Sequence, residues 1–140
     1  MSTSPQDFNA KIIEEFRSNE GRVGGMFEGM SLLLLHHRGA KSGAERLNPL
    51  VYSRDGDRYV VYASKAGAPS HPAWYGNVMA NPRTTIEVGT DELAVEAFEA
   101  TGDERDRLFR EQKQRAPQFA EYEQKAGERI IPVVLLKPLA

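Results

Sequence analysis

Two stretches of this chain gather groups that could do chemistry. The first, Arg38-Gly39-Ala40-Lys41-Ser42-Gly43-Ala44-Glu45-Arg46, sets three cations against one carboxylate around a turn that two glycines keep open. Such a turn can offer backbone N–H groups and side-chain donors together to a phosphate or carboxylate. It can equally be a solvated hairpin tip whose charges only keep the protein in solution. The second, Lys65-Ala66-Gly67-Ala68-Pro69-Ser70-His71-Pro72-Ala73-Trp74-Tyr75-Gly76-Asn77, holds a cation, two prolines and the only tryptophan within thirteen residues. Loops that carry aromatic, cationic and amide groups on a rigid scaffold are where small-molecule sites usually form. On a helix, Trp74 and Val78 share one face, as do Ala73 and Asn77. Trp74 suits either core packing or stacking on a flat ring, while Asn77 can offer its amide to the polar edge of a ligand. Just upstream, Tyr62-Ala63-Ser64-Lys65 ends a strand in small residues. These would let a ring approach the backbone and leave Lys65 to meet an anion, unless the segment is a plain strand-to-loop transition.

Other chemistries lack their residues. With no cysteine, disulfides, thiolate catalysis and cysteine-ligated metals are excluded. Adjacent His36 and His37 on a strand point to opposite faces and cannot readily chelate one metal. His71, before Pro72, reads as a turn residue. No HExxH, CxxC or EF-hand pattern appears, so no metal is expected, and without GxSxG or GxGxxG neither a serine hydrolase nor a Rossmann domain is supported. The formal net charge of -2 argues against nucleic-acid or anionic-membrane binding over the whole surface. The N-terminus lacks a signal-peptide layout, and the longest apolar run, Leu32 to Leu35, is too short to span a bilayer. A cytoplasmic protein with no stable membrane insertion is therefore expected, with membrane association left open.

These groups must be positioned by a single domain of 140 residues, in which residues 1–25 form a helical extension. Ser4 as cap, Pro5 and Asp7 predict a helix start; Phe8, Ile12, Ile13 and Phe16 recur at helical spacing, and Gly21, Gly24 and Gly25 end it. This helix packs on the body of the domain or acts as a lid or membrane-surface element. The last is a poor match to a face carrying Asp7, Glu14, Glu15 and Glu20 beside Lys11 and Arg17. Strands are predicted at 31–38, 45–53 and 58–64, the last two joined by the hairpin Arg54-Asp55-Gly56-Asp57. Pro49 predicts that the second strand is interrupted, bulged or at an edge there. Residues 72–80 form a short helix stopped by Asn81-Pro82, 83–88 and 92–100 a hairpin, 103–115 a charged helix anchored by Leu108 and Phe109, and 130–136 a last strand. The fold class is α+β: a small closed or split β-barrel of about six mainly antiparallel strands, with a short inserted helix and a late helical segment.

Three segments, in order, resemble the deazaflavin-dependent nitroreductase family. They are Leu33-Leu34-Leu35 leading to Gly39-Ala40-Lys41-Ser42-Gly43 and Arg46-Leu47-Asn48-Pro49-Leu50; Tyr59-Val60-Val61-Tyr62-Ala63-Ser64-Lys65; and His71-Pro72-Ala73-Trp74-Tyr75-Gly76-Asn77 with Ala80-Asn81-Pro82. The resemblance runs from about Ser31 to Leu136. It implies a split β-barrel that binds a reduced 8-hydroxy-5-deazaflavin coenzyme (coenzyme F-420) and passes hydride to an electron-poor small molecule such as a quinone, enone, unsaturated lactone or nitro compound. A flavin-mononucleotide (FMN) reductase on the same barrel and a non-catalytic deazaflavin binder are the alternatives. By the same resemblance, Lys41 and Arg46, with Ser42 beside them, hold the anionic tail, and Asn48 and Pro49 fall in the same block. Tyr62, Ala63, Ser64 and Lys65 line the phosphate and ring, and Ala73, Trp74, Tyr75 and Asn77 close the ring pocket. Family members often carry arginine where this chain has Ala40, which implies lower tail affinity. The nitroimidazole-activating member presents tyrosines at three positions that match Ala116, Phe119 and Tyr122. The mouth here is then roomier and more apolar, suited to quinones, enones or lactones. The Ser64 hydroxyl, nearby backbone N–H groups, Tyr122 or solvent would stabilise the anion left after transfer and supply its proton. The partner implied is a small-molecule acceptor, and the oligomeric state stays open.

Overall fold

The computed structural model describes residues 5–24, 31–68 and 70–139. The expected cap Ser4 and the helix terminator Gly25 lie outside the described residues. The elements run α1 (Pro5–Ser18), β1 (Leu32–Arg38), β2 (Glu45–Asp55), β3 (Arg58–Tyr62), a 3-10 turn (Lys65–Gly67), α2 (Ala73–Ala80), β4 (Arg83–Val88), β5 (Asp91–Glu99), α3 (Gly102–Arg115), α4 (Gln118–Ala126) and β6 (Val133–Pro138).

Every strand pairing is antiparallel, and the order β1-β2-β3-β6-β5-β4 closes on itself through Leu34↔Glu87 and Leu35↔Ile86. The expected six-stranded barrel is present. The apolar runs are explained by burial on both faces of a strand. Leu33 and Leu35 of β1 face the barrel interior with Val61, Ile86, Val95, Val134 and Leu136. Leu32 and Leu34 face outward beneath Ile12 and Phe16 of α1. β3 and β6 repeat the pattern on the other side, where Val60, Tyr62, Val133 and Leu135 lie under Leu108, Phe109 and Phe119 of α3 and α4. A strand covered on both sides needs no alternation of apolar and polar residues. Each such side chain contributes about 1.5–3 kcal/mol by leaving water.

Pro49 is accommodated at an edge. β2 pairs with β1 over residues 45–51 and only then with β3 over 52–55, so Pro49 has a partner, Leu34, on one side alone. There its missing N–H costs no ladder bond. The strand predicted to reach Ser64 stops at Tyr62, because residue 64 enters the 3-10 turn, and the last strand begins at Val133 rather than Ile130. Proline at 132 has no N–H to donate, although its carbonyl still accepts from Ala63 N at 2.9 Å. Among the described residues no helix is long and apolar enough to cross a membrane, and no group of three or more His, Asp and Glu residues is arranged to hold a metal.

Candidate active site

The cationic turn between β1 and β2 is closed by its own backbone: Gly39 N donates to Ala44 O at 2.9 Å and Gly43 N to Gly39 O at 2.8 Å. Gly43 sits at φ +70, where glycine is favoured. At Gly39 the need is space instead. A Cβ there would run into Ser42 Oγ, with Arg46 Nε 3.8 Å from the same point. The Ser42 hydroxyl and the Arg46 guanidinium therefore stand together over a bare backbone. Lys41 and Arg46 are both exposed, while Arg38 pairs with Glu45 at 3.5 Å.

One hydrogen bond joins this turn to the second stretch. Ala40 N donates to Asn77 Oδ1 at 3.0 Å, and the other end of the same amide, Nδ2, meets His37 Nδ1 at 3.0 Å. His37 Nε2 lies 2.8 Å from Asn48 Oδ1. Because the amide donates to Nδ1, Nε2 carries the proton and donates to Asn48. Burial holds the His37 pKa below its ordinary 6.5, and the nearby Arg46 and His36 charges push the same way. Asn77 thus has a job other than the ligand contact expected of it. Both ends of its amide hold the turn in place, and Asn48 is engaged in the same chain of bonds. His36 points the opposite way, to Glu87 Oε2 at 2.7 Å, as strand alternation requires.

The loop after β3 is unusual in its backbone. Ser64 is in the right-handed helical region (φ -77, ψ -38), and Lys65, a residue with a Cβ, has φ +47. A right-handed residue followed by a left-handed one turns successive N–H groups to one side and makes a concavity that accepts anions. Here those groups belong to Ser64, Lys65 and Ala66. The exposed Lys65 ammonium is 3.4 Å from Ser70 Oγ, so the loop also carries a cation. Ser64 itself is buried, and its carbonyl accepts from Gly67 N at 2.9 Å.

The remaining expected residues divide by strand alternation. Ala63 faces the barrel interior beside Trp74, whereas Tyr62 faces the α3–α4 side. There it packs edge-on against Phe119 at 5.4 Å and bonds Ser53 Oγ through its hydroxyl at 2.7 Å. Burial raises the Tyr62 phenol above its ordinary value. Trp74 is 4% exposed and packs with Val78 into the barrel interior, so of its two readings the structure shows core packing. Tyr75 is partly exposed and its hydroxyl donates to Glu99. Burial, then that carboxylate, push its pKa up to about 12. Ala73 begins α2. On the late helices Phe119 is buried, while Ala116 and Tyr122 are partly buried against the same cluster, with the Phe119 and Tyr122 rings 5.2 Å apart. The Tyr122 carbonyl presses on the Lys65 loop: a Cβ on Gly67 would fall 2.7 Å from it.

Two functional candidates escaped the reading of residue types. His37 showed only as one of a histidine pair, and its buried partners are 11 and 40 residues away. Arg129, which bonds the Lys65 loop from 58 to 66 residues downstream, belongs to no motif. A recess among the described residues lies elsewhere. It is about 1240 Å³, between the end of α1 and the β4–β5 turn, lined by Glu15, Asn19, Gly21, Gly89 and Asp91. No residue expected at the site lines it.

The family model described as F420H(2)-dependent quinone reductase matches residues 10–138. A Mycobacterium tuberculosis protein named F420H(2)-dependent quinone reductase is 38% identical over 125 residues, which is 86% of this chain and 83% of its own. Among solved structures, one described as an F420-H2 dependent reductase (FDR-A) superposes with a TM-score of 0.69 at 37% identity, covering 76% of this chain and 94% of that one. Another, described as a domain-swapped dimer, gives 0.70 at 34% identity, covering 96% and 100%. The chain belongs to the F420H(2)-dependent quinone reductase family and is an oxidoreductase built on that family's split barrel.

Proposed function

We propose that the protein carries a hydride from the reduced 8-hydroxy-5-deazaflavin coenzyme to a quinone or a comparably electron-poor small molecule. One observation carries this reading: the exposed cationic turn is fastened through Asn77 to α2, the helix that follows the anion-accepting loop. A coenzyme with a phosphodiester and a polyglutamate tail needs two such anchors. Lys41 and Arg46, with Ser42, would hold the tail. The N–H groups of Ser64, Lys65 and Ala66, with the Lys65 ammonium, would take the phosphate.

When bound, the coenzyme supplies the hydride. The chain supplies position, since holding two reactants in register can remove much of a bimolecular barrier. The exposed Ala73 and the partly exposed Tyr75 of α2 would flank a flat ring, with Ala63 buried behind them in the barrel interior. Trp74 stiffens that wall from within. Tyr122, with Ala116 and Phe119 along the same late helices, bounds the acceptor side. Hydride plus one proton takes a quinone to its hydroquinone, the proton coming from the Ser64 or Tyr122 hydroxyl or from water.

With Ala116 and Phe119 where tyrosines would add two hydroxyls, the acceptor wall is apolar and favours a quinone over a polar nitro-bearing bicycle. Steady-state oxidation of reduced coenzyme should therefore run at least tenfold faster with menadione than with a bicyclic nitroimidazole, a gap of about 1.4 kcal/mol. A preference for the nitroimidazole would contradict this acceptor assignment. Turnover with FMN but not the deazaflavin would overturn the cofactor.

A further inference from the structure

Arg129 lies between α4 and β6, in a stretch that no part of the proposed reaction uses. Its guanidinium makes four hydrogen bonds, all to one loop: Nε to Ala68 O at 2.9 Å, Nη1 to Ala63 O at 3.0 Å and to His71 Nδ1 at 2.8 Å, and Nη2 to Ser64 O at 2.6 Å. No carboxylate lies within ion-pairing distance of it among the described residues. Burial without such a partner lowers its pKa from the ordinary value. A cation is held here by three carbonyls and a neutral imidazole.

Three carbonyls turned toward one guanidinium fix the direction of the peptide planes that carry them. The chain between Ser64 and Ala68 must also pass Lys65 at φ +47 and Gly67 at φ +81. A left-handed residue with a Cβ costs on the order of 1–3 kcal/mol and persists only where its surroundings over-determine it. Arg129, together with the bond from Ala63 N to Pro132 O, supplies that constraint from the carbonyl side. The right-handed then left-handed backbone at Ser64 and Lys65 turns the N–H groups of Ser64, Lys65 and Ala66 toward a common side. Lysine cannot substitute, because an ammonium lacks the planar fork that reaches three carbonyls and an imidazole at once.

We infer that Arg129 is the positioning residue of the coenzyme loop: by holding Ala63, Ser64, Ala68 and His71 it sets the Ser64–Lys65–Ala66 amides as an anion-accepting concavity before any ligand arrives. This rests on the coenzyme reading above for the ligand's identity, but not for the loop's order. His71 takes its place in the same device. Its Nδ1 accepts from Arg129, which fixes the proton on Nε2.

The test uses the full chain in three forms: wild type, Arg129→Lys and Arg129→Gln. Two measurements are made on each, after thermal melting has established that each variant is folded. The first needs no ligand: amide hydrogen exchange at residues 64–68, with the nitrogen-15 spectrum of the His71 ring. The second is the dissociation constant for reduced deazaflavin beside the KM for menadione. Both variants should exchange residues 64–68 at least tenfold faster than wild type while strand β1 stays protected, and the His71 ring should lose its single tautomer. Coenzyme affinity should fall tenfold or more with the menadione KM within twofold. Wild-type exchange rates in Arg129→Gln would overturn the inference, as would a faster loop with unchanged coenzyme affinity. If wild type binds no deazaflavin, the coenzyme reading fails, and the exchange data alone decide whether Arg129 orders the loop.

Discussion

His37 is 4% exposed and uses both ring nitrogens, one on Asn48 and one on Asn77. Protonating Nδ1 would turn its acceptor into a second donor facing the Asn77 amide. The amide could answer only by flipping, which would turn its NH2 toward Ala40 N–H and break that bond. The folded-state pKa is lowered below the unfolded value of 6.5, so the unfolded chain binds the extra proton first. Stability from this site is therefore complete above about pH 6.5 and lost as pH falls through the lowered folded value. Histidine NMR titration should show His37 titrating below the free imidazole, and melting curves should lose stability on that acid limb. Asn77→Ala should cost about 1–3 kcal/mol, because Ala40 N–H and the imidazole are left without partners. A His37 pKa above 6.5, or an Asn77→Ala protein as stable as wild type, would contradict this account.

Among elements, the 3-10 turn and α4 are pressed together at one glycine. A Cβ on Gly67 would lie 2.7 Å from the Tyr122 carbonyl and 2.8 Å from Lys125 Cβ, in a backbone already at φ +81. Gly56, in the β2–β3 hairpin, has a similar φ of +63, but nothing lies within 4 Å of the added carbon. The pair separates strain from collision. Gly56→Ala should cost about 1 kcal/mol and Gly67→Ala roughly 2–4 kcal/mol, as backbone strain and lost packing combine. The second should also raise the coenzyme dissociation constant, and equal melting shifts would show that the loop yields without moving α4. This contact lay beyond the reach of sequence. The apolar runs Leu32–Leu35, Tyr59–Tyr62 and Val133–Leu136 announced buried strands, and Pro49 announced an interruption, a bulge or an edge without choosing among them. The run of small residues after Tyr62 announced a loop but not its left-handed turn at Lys65, since lysine carries no signal for positive φ. Trp74 and Asn77 were legible as important and not as to role. Packing against Val78 and a bond to Ala40 depend on how the barrel closes.

Across the whole molecule, α1 is fastened to the barrel by two different forces. Phe16 is 1% exposed beside Leu32 and Leu34. Arg17 makes a two-point ion pair to Glu87, at 3.1 and 2.7 Å, but is itself 51% exposed. The pair holds the Glu87 carboxyl below its ordinary pKa, with His36 assisting, so its contribution is lost as pH falls through that lowered value. Water screens it, and exposed pairs give about 0–1 kcal/mol. Deleting a buried phenylalanine costs about 3–5 kcal/mol. Phe16→Ala should accordingly destabilise the protein several times more than Glu87→Gln by chemical denaturation, and the reverse order would make α1 an electrostatically held element. On the function proposed above, the cationic turn, fastened through Asn77 to α2, and the loop that precedes α2 would serve as one coenzyme site. The measurement that tests this most directly is a fluorescence titration with the deazaflavin coenzyme, and separately with FMN, on wild type, Lys41→Ala and Arg46→Ala. Selective deazaflavin binding, weakened about tenfold by each substitution or somewhat less where solvent screens the charge, is the expected result. Equal or tighter binding of FMN, or deazaflavin binding indifferent to both substitutions, would contradict it.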